Sequence, residues 1–170
     1  MITRQARAED AQAIADIWSV IIRDTLITFT TVEKTPAQVA QDIAARGLAF
    51  RVGEQAGQVM GFATYGPFRS GPGYAHTCEH SVQLAPEARG QGLGRLLMEE
   101  LMQVARENSQ HVMVAGISGA APASIAFHAA LGFVETARMP QVGCKSGQWL
   151  DLVMMQRILG AHPDTGGQTA

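Results

Sequence analysis

Tyr74-Ala75-His76-Thr77-Cys78-Glu79-His80-Ser81-Val82-Gln83-Leu84 leads, through Ala85-Pro86-Glu87-Ala88, into Arg89-Gly90-Gln91-Gly92-Leu93-Gly94-Arg95. The first run reads as a strand over 74–84, because Thr77, Glu79 and Ser81 alternate with their neighbours. The last residues open a helix over 92–107, whose Leu93, Leu96, Leu97, Leu101 and Val104 form an apolar stripe at helical spacing. Between strand and helix, glycines leave backbone N–H groups bare at a helix N-terminus, where the positive end of the dipole favours an anion. On these residues alone two readings stand: a tight strand-to-helix turn, or a cradle for a phosphate-bearing ligand with Arg89 and Arg95 adding charge. Two better-known phosphate loops do not fit. A P-loop needs Gly-Lys-Ser/Thr, and the dinucleotide fingerprint wants a glycine where Arg95 stands.

Outward from this stretch, the amino-terminal side supplies a strand over 2–7 and a helix introduced by Glu9-Asp10, with Ile14, Ile17, Trp18, Ile21 and Ile22 on one face. A second helix is capped by Thr35, begun by Pro36, carries Val39 and Ile43, and is closed by Gly47. Segments 48–54 and 58–65 are apolar-rich and separated by Gln55-Ala56-Gly57, which predicts an antiparallel hairpin. Toward the carboxyl end, 111–117 reads as a buried strand, 122–131 as a helix ended by Gly132, and 133–142 with 149–157 as a closing strand pair. This order predicts a mixed α/β (α+β) sheet with four helices, in one domain over 1–159 followed by a loose tail over 160–170.

Composition narrows the function classes. With 46% hydrophobic and 16% charged residues the chain suits a packed globular protein. A net charge of -2 offers no broad basic surface, so nucleic acid is not an expected partner. No apolar run is long enough for a bilayer and no apolar core follows Met1-Ile2-Thr3-Arg4-Gln5, so no membrane partner is expected and a cytoplasmic setting is. Cys78 and Cys144 lie far apart and the five histidines form no His-x-x-x-His pattern, so neither a disulfide framework nor a metal site is expected.

The residues Arg-x-x-Gly-x-Gly over 89–94 resemble the Gln/Arg-x-x-Gly-x-Gly/Ala signature of the GNAT superfamily of acetyltransferases, and the element order resembles that fold from end to end. Tyr65-Gly66-Pro67-Phe68-Arg69, the run from His76 to Val82, Ala123-Ser124-Ile125-Ala126-Phe127-His128 and the stretch from Met139 to Leu152 resemble one branch, the phosphinothricin and methionine sulfoximine acetyltransferases. The resemblance implies a mostly antiparallel seven-stranded sheet and acetyl-CoA as the cofactor. It places the backbone of Val82, Gln83 and Leu84 along the pantetheine arm. Arg89, Gly90, Gln91, Gly92, Leu93, Gly94 and Arg95 would surround the pyrophosphate, with Ala121 and Ser124 near coenzyme A. Gln83 and Ala121 depart from the tyrosine and asparagine usual in this branch.

By the same resemblance, Glu79 is the base that draws a proton from an ammonium, directly or through water. His128 is either the acid for a departing thiolate or a structural histidine. Phe29, Arg69, Ser70, Gly71, Glu79, His80, Ser81 and Lys145 are implied for the acceptor pocket, where the two parallel donors of Arg69 suit a carboxylate. The implied partners are a small-molecule amine and a second copy of the chain. The expected activity is acetylation of the α-amine of methionine sulfoximine, methionine sulfone, phosphinothricin or a related amino acid. A non-catalytic acyl-CoA sensor and a protein or peptide acetyltransferase are the alternatives.

Overall fold

In the computed structural model, which describes residues 1–160, seven strands form one sheet in the order β1-β2-β3-β4-β5-β7-β6. The strands are β1 (Ile2–Gln5), β2 (Phe50–Gln55), β3 (Gln58–Pro67), β4 (Thr77–Leu84), β5 (Val112–Ser118), β6 (Val134–Lys145) and β7 (Gln148–Ile158). Four helices accompany them: α1 (Ala11–Asp24), α2 (Pro36–Arg46), α3 (Leu93–Glu107) and α4 (Pro122–Ala130). All neighbouring strands are antiparallel except β4 and β5, which run parallel.

Local chemistry accounts for the elements. Ala56 and Gly57 take φ of 51° and 79°, the left-handed pair that turns β2 into β3 in two residues. Thr35 Oγ1 accepts from the Gln38 N–H at 3.2 Å, the Gln38 side chain returns a bond to the Thr35 N–H at 2.9 Å, and Pro36 starts α2. One face of the sheet is sealed by α1 and α2, with Ile14, Val39, Phe50, Val52 and Phe62 buried together. The other packs against α3 and α4, around Leu93, Leu97, Met98, Leu101, Met113 and Val153.

Two boundaries differ from expectation by three residues and the others by two or fewer. β4 begins at Thr77 rather than 74, because Pro72–Tyr74 curls into a short turn, with Tyr74 N–H bonded to Gly71 O and Ala75 N–H to Pro72 O at 3.2 Å. β6 continues past 142 to Lys145, and Ser146-Gly147, at φ of 50° and 74°, turns directly into β7. The tail expected over 160–170 lies, from 161 onward, outside the described residues. Among the described residues no helix is long and apolar enough to cross a membrane.

One feature of the sheet positions the candidate site. β4 and β5 pair only at Thr77–Val112, Cys78–Met113 and Glu79–Val114, yet β4 continues to Leu84 beside β3 and β5 continues to Ser118 beside β7. The sheet therefore parts just beyond Glu79.

Candidate active site

A cavity of about 460 Å³ opens at this parting, walled by His80 to Gln83 of β4, Ala115 to Ser118 of β5, and Ser124 and His128 of α4. Past Glu79 the facing edges of β4 and β5 do not bond to one another, so their backbone N–H and C=O groups form a strip suited to an extended ligand. The segment carrying Phe29 closes the cavity from the α1 side, with Trp18 and Ile22 behind it.

The glycine turn sits where β4 hands over to α3. Gly90 and Gly92 take φ of 73° and 87°, and a Cβ on either would meet nothing within 4 Å, so the backbone conformation demands them rather than a protein neighbour. At Gly94 a Cβ would stand 3.3 Å from Phe127 and 3.4 Å from Leu84, so its bareness seats α3 against α4 and β4. The first bond closing α3 is Leu96 N–H to Gly92 O at 3.2 Å, which leaves the N–H groups of Leu93, Gly94 and Arg95 without helical acceptors. Gln91 pins the turn by donating to Glu87 O at 2.6 Å. Arg89 is exposed, and Arg95 reaches Glu99 and Ala130 O at 3.4 Å. The donor set fits a diphosphate: free amides, a helix dipole and two arginines at one bend.

Glu79 stands at the branch of the sheet. Its carboxylate lies over Gly116 of β5: a Cβ there would fall 3.0 Å from Glu79 Oε1 and 3.6 Å from Leu152. Burial raises the Glu79 pKa above its ordinary value, against the opposing charge of Arg69. A carboxylate shifted upward is a stronger proton acceptor once ionised.

Behind it two buried histidines stack, His80 on His128, with ring centroids 5.1 Å apart and planes 28° from parallel. His128 Nδ1 lies 2.7 Å from Ser124 O, and a carbonyl only accepts, so Nδ1 carries the proton. Burial lowers the His128 pKa and favours the neutral ring, so Nε2, which has no hydrogen-bond partner within the described protein, is a proton acceptor. An acid role for His128 therefore requires Nε2 to take up a proton first. Burial, and then the nearby His128, lower His80 to about 3, and neither of its ring nitrogens has a partner within the described protein.

The expected acceptor residues divide between two places. Phe29, His80 and Ser81 share the cavity at the parting. Arg69, Ser70 and Gly71 line a second cavity of about 740 Å³. Glu79 stands between them: Gly116 lines the first, and Gly66, the cross-strand partner of Glu79, lines the second. Lys145 lines neither. Its Nζ donates to Thr28 O at 2.9 Å, it is only 4% exposed, and burial lowers its pKa. It ties the end of β6 to the segment bearing Phe29, whose ring lies so close to Gly143 that a Cβ there would be 2.5 Å away. Ala121 is buried at the start of α4 and offers no capping side chain, while Ser124 reaches the first cavity. Sequence reasoning missed Gly116, although an isolated glycine inside a strand is a signal of close approach, and Gly143, which fell outside the strand read over 133–142. Among the described residues no cluster of three or more potential ligands is placed to hold a metal.

Comparison with known proteins identifies the family. The family model described as Acetyltransferase (GNAT) family matches residues 16–133. The L-amino acid N-acyltransferase MnaT of Escherichia coli (strain K12) is 43% identical over 172 residues, covering 98% of this chain and 100% of that protein. The L-methionine sulfoximine/L-methionine sulfone acetyltransferase of Salmonella typhimurium is 42% identical over 166 residues, covering 95% of this chain and 96% of that protein. Among solved structures, a GNAT superfamily phosphinothricin acetyltransferase from Sinorhizobium meliloti in complex with AcCoA aligns with a TM-score of 0.90 at 34% identity, covering 99% of this chain and 95% of that one. The family match runs from α1 through the parted strands and the glycine turn to the end of α4, and the chain belongs to the acetyltransferase (GNAT) family.

Proposed function

We propose that this chain transfers acetyl from acetyl-CoA to the α-amine of a small amino acid, with Glu79 as the base. The observation that carries the reading is the Glu79 carboxylate seated over Gly116 where β4 and β5 part, at the edge of a cavity. Acetyl-CoA, when bound, supplies an activated thioester carbonyl. Val82, Gln83 and Leu84 offer their free backbone edge to its pantetheine arm, and the amides from Gly90 to Arg95 receive its diphosphate. Arg89 adds charge at that bend, and Ala121 and Ser124 border the same path from α4.

Glu79 removes a proton from the acceptor ammonium and leaves a nitrogen lone pair free to attack. Arg69 holds the acceptor carboxylate, Ser70 and Gly71 shape that wall, and Phe29, His80 and Ser81 flank the acceptor in the first cavity. Lys145 acts on this pocket through Thr28. The relatives named for methionine sulfone, methionine sulfoximine and phosphinothricin make these amino acids the first acceptors to test.

The proposed assembly is a homodimer. Val134, Met139, Val142 and Trp149 are 45–67% exposed on the edge hairpin β6–β7, apolar side chains at the end of the sheet that a second copy would cover. Sedimentation equilibrium reads this directly, and a monomer at assay concentrations overturns it. The proposed setting is the cytoplasm, consistent with two unpaired cysteines.

The acceptor is tested by following coenzyme A release and N-acetyl product with L-methionine sulfone, L-methionine sulfoximine, L-phosphinothricin, other L-amino acids and peptides. Turnover of at least one free amino acid is expected. Acetyl-CoA binding without any turnover identifies a sensor, and turnover of peptides alone identifies a peptide acetyltransferase.

A further inference from the structure

Arg46, the last residue of α2, lays its guanidinium over β3. Its Nη1 donates to Thr64 Oγ1 at 3.2 Å, and its Cζ lies 3.9 Å from where a Cβ on Gly66 would stand. Thr64 and Gly66 are the cross-strand partners of Ser81 and Glu79. Arg46 therefore occupies the row beside the proposed base, on the side away from β5. With Arg69 it lines the second cavity, whose walls contain no carboxylate. Among the described residues no ion pair engages either arginine. Two guanidinium groups on one concave surface, neither held in an ion pair, form an anion site beside Glu79, and paired forks suit a carboxylate.

We propose that Arg46 and Arg69 together bind the α-carboxylate of the amino-acid acceptor. The inference rests on the acceptor reading above and adds to it a residue that no motif marks. The carboxylate then lies on the β3 side of Glu79, the first cavity lies on the β5 side, and the α-amine falls between them at Glu79. The site selects free amino acids over amines that lack a carboxylate.

The test is steady-state kinetics of the full chain with L-methionine sulfone and with its α-carboxamide. Wild type is expected to prefer the free acid by at least tenfold in kcat/KM. Arg46→Gln is expected to lose at least tenfold on the free acid, mainly through KM. The same variant leaves the carboxamide and the KM for acetyl-CoA unchanged, and Arg46→Lys recovers part of the loss. Should Arg46→Gln not fold, Arg46→Lys carries the test, with a loss of about threefold or more expected on the free acid alone. Equal losses on both acceptors, or no loss on either, overturn the proposal. Wild type that acetylates acid and carboxamide equally overturns it while leaving acetyl transfer intact. Wild type active only on peptides overturns both this proposal and the acceptor reading.

Discussion

Gly116 contributes nothing but the absence of a side chain, and that absence seats the Glu79 carboxylate over β5. Gly116→Ala places a carbon 3.0 Å from Oε1, so the carboxylate must move. The expected outcome is a fall in kcat of at least about tenfold with acetyl-CoA affinity retained, checked by steady-state kinetics and isothermal titration. The stacked histidines make a separate prediction about pH. His80 has an ordinary pKa of 6.5 and a folded value of about 3, so between these limits the unfolded chain binds the extra proton. Its contribution to stability is complete above 6.5 and is lost as pH falls toward 3, and His128 shifts in the same direction. Thermal unfolding from pH 7 to 4 is expected to show a steeper loss of Tm for wild type than for His80→Gln. At this scale the sequence was uneven. Glu79 was legible because its place in Thr77-x-Glu79-x-Ser81 matches a known pattern. The roles of Gly116 and Arg46 were not, since each depends on which residue stands opposite across the sheet. Lys145 was named for the pocket; it lines neither cavity, and its Nζ donates to Thr28 O on the segment bearing Phe29.

The glycine turn is the element proposed to receive the cofactor diphosphate. Gly92 is the left-handed residue just before α3, at φ of 87°, where an L side chain costs about 1–2 kcal/mol. Gly92→Ala is expected to lower stability by about that amount and to weaken acetyl-CoA binding, as read by thermal unfolding and titration. Unchanged affinity would detach the turn from the cofactor. Element order was legible because caps and periodicity are local: Thr35-Pro36 opened α2 as expected, and Gln55-Ala56-Gly57 turned β2 into β3. The misplaced ends have local causes too. Pro72 and Gly71 delay β4, and the tight turn at Ser146-Gly147 draws β6 out to Lys145.

At the scale of the whole molecule, helices cover both faces of one sheet, and the sheet parts where β4 and β5 stop pairing. Periodicity could not reveal it, because each strand reads the same whether or not its neighbour stays beside it. The mostly antiparallel seven-stranded sheet followed from family resemblance rather than from any local run of residues, while the strand order and the place of the parallel pair emerged from the structure. The parting brings together an unpaired backbone strip, Ser124 and His128 of α4, and the Glu79 carboxylate, drawn from segments far apart in the chain. The most direct measurement is coenzyme A release from acetyl-CoA with L-methionine sulfone, as a function of pH, for wild type and Glu79→Gln. The account predicts wild-type turnover that rises with pH through a midpoint above the ordinary glutamate value, and a loss of about 100-fold or more in kcat for the variant. Undiminished turnover in Glu79→Gln, with the same pH profile, would contradict it.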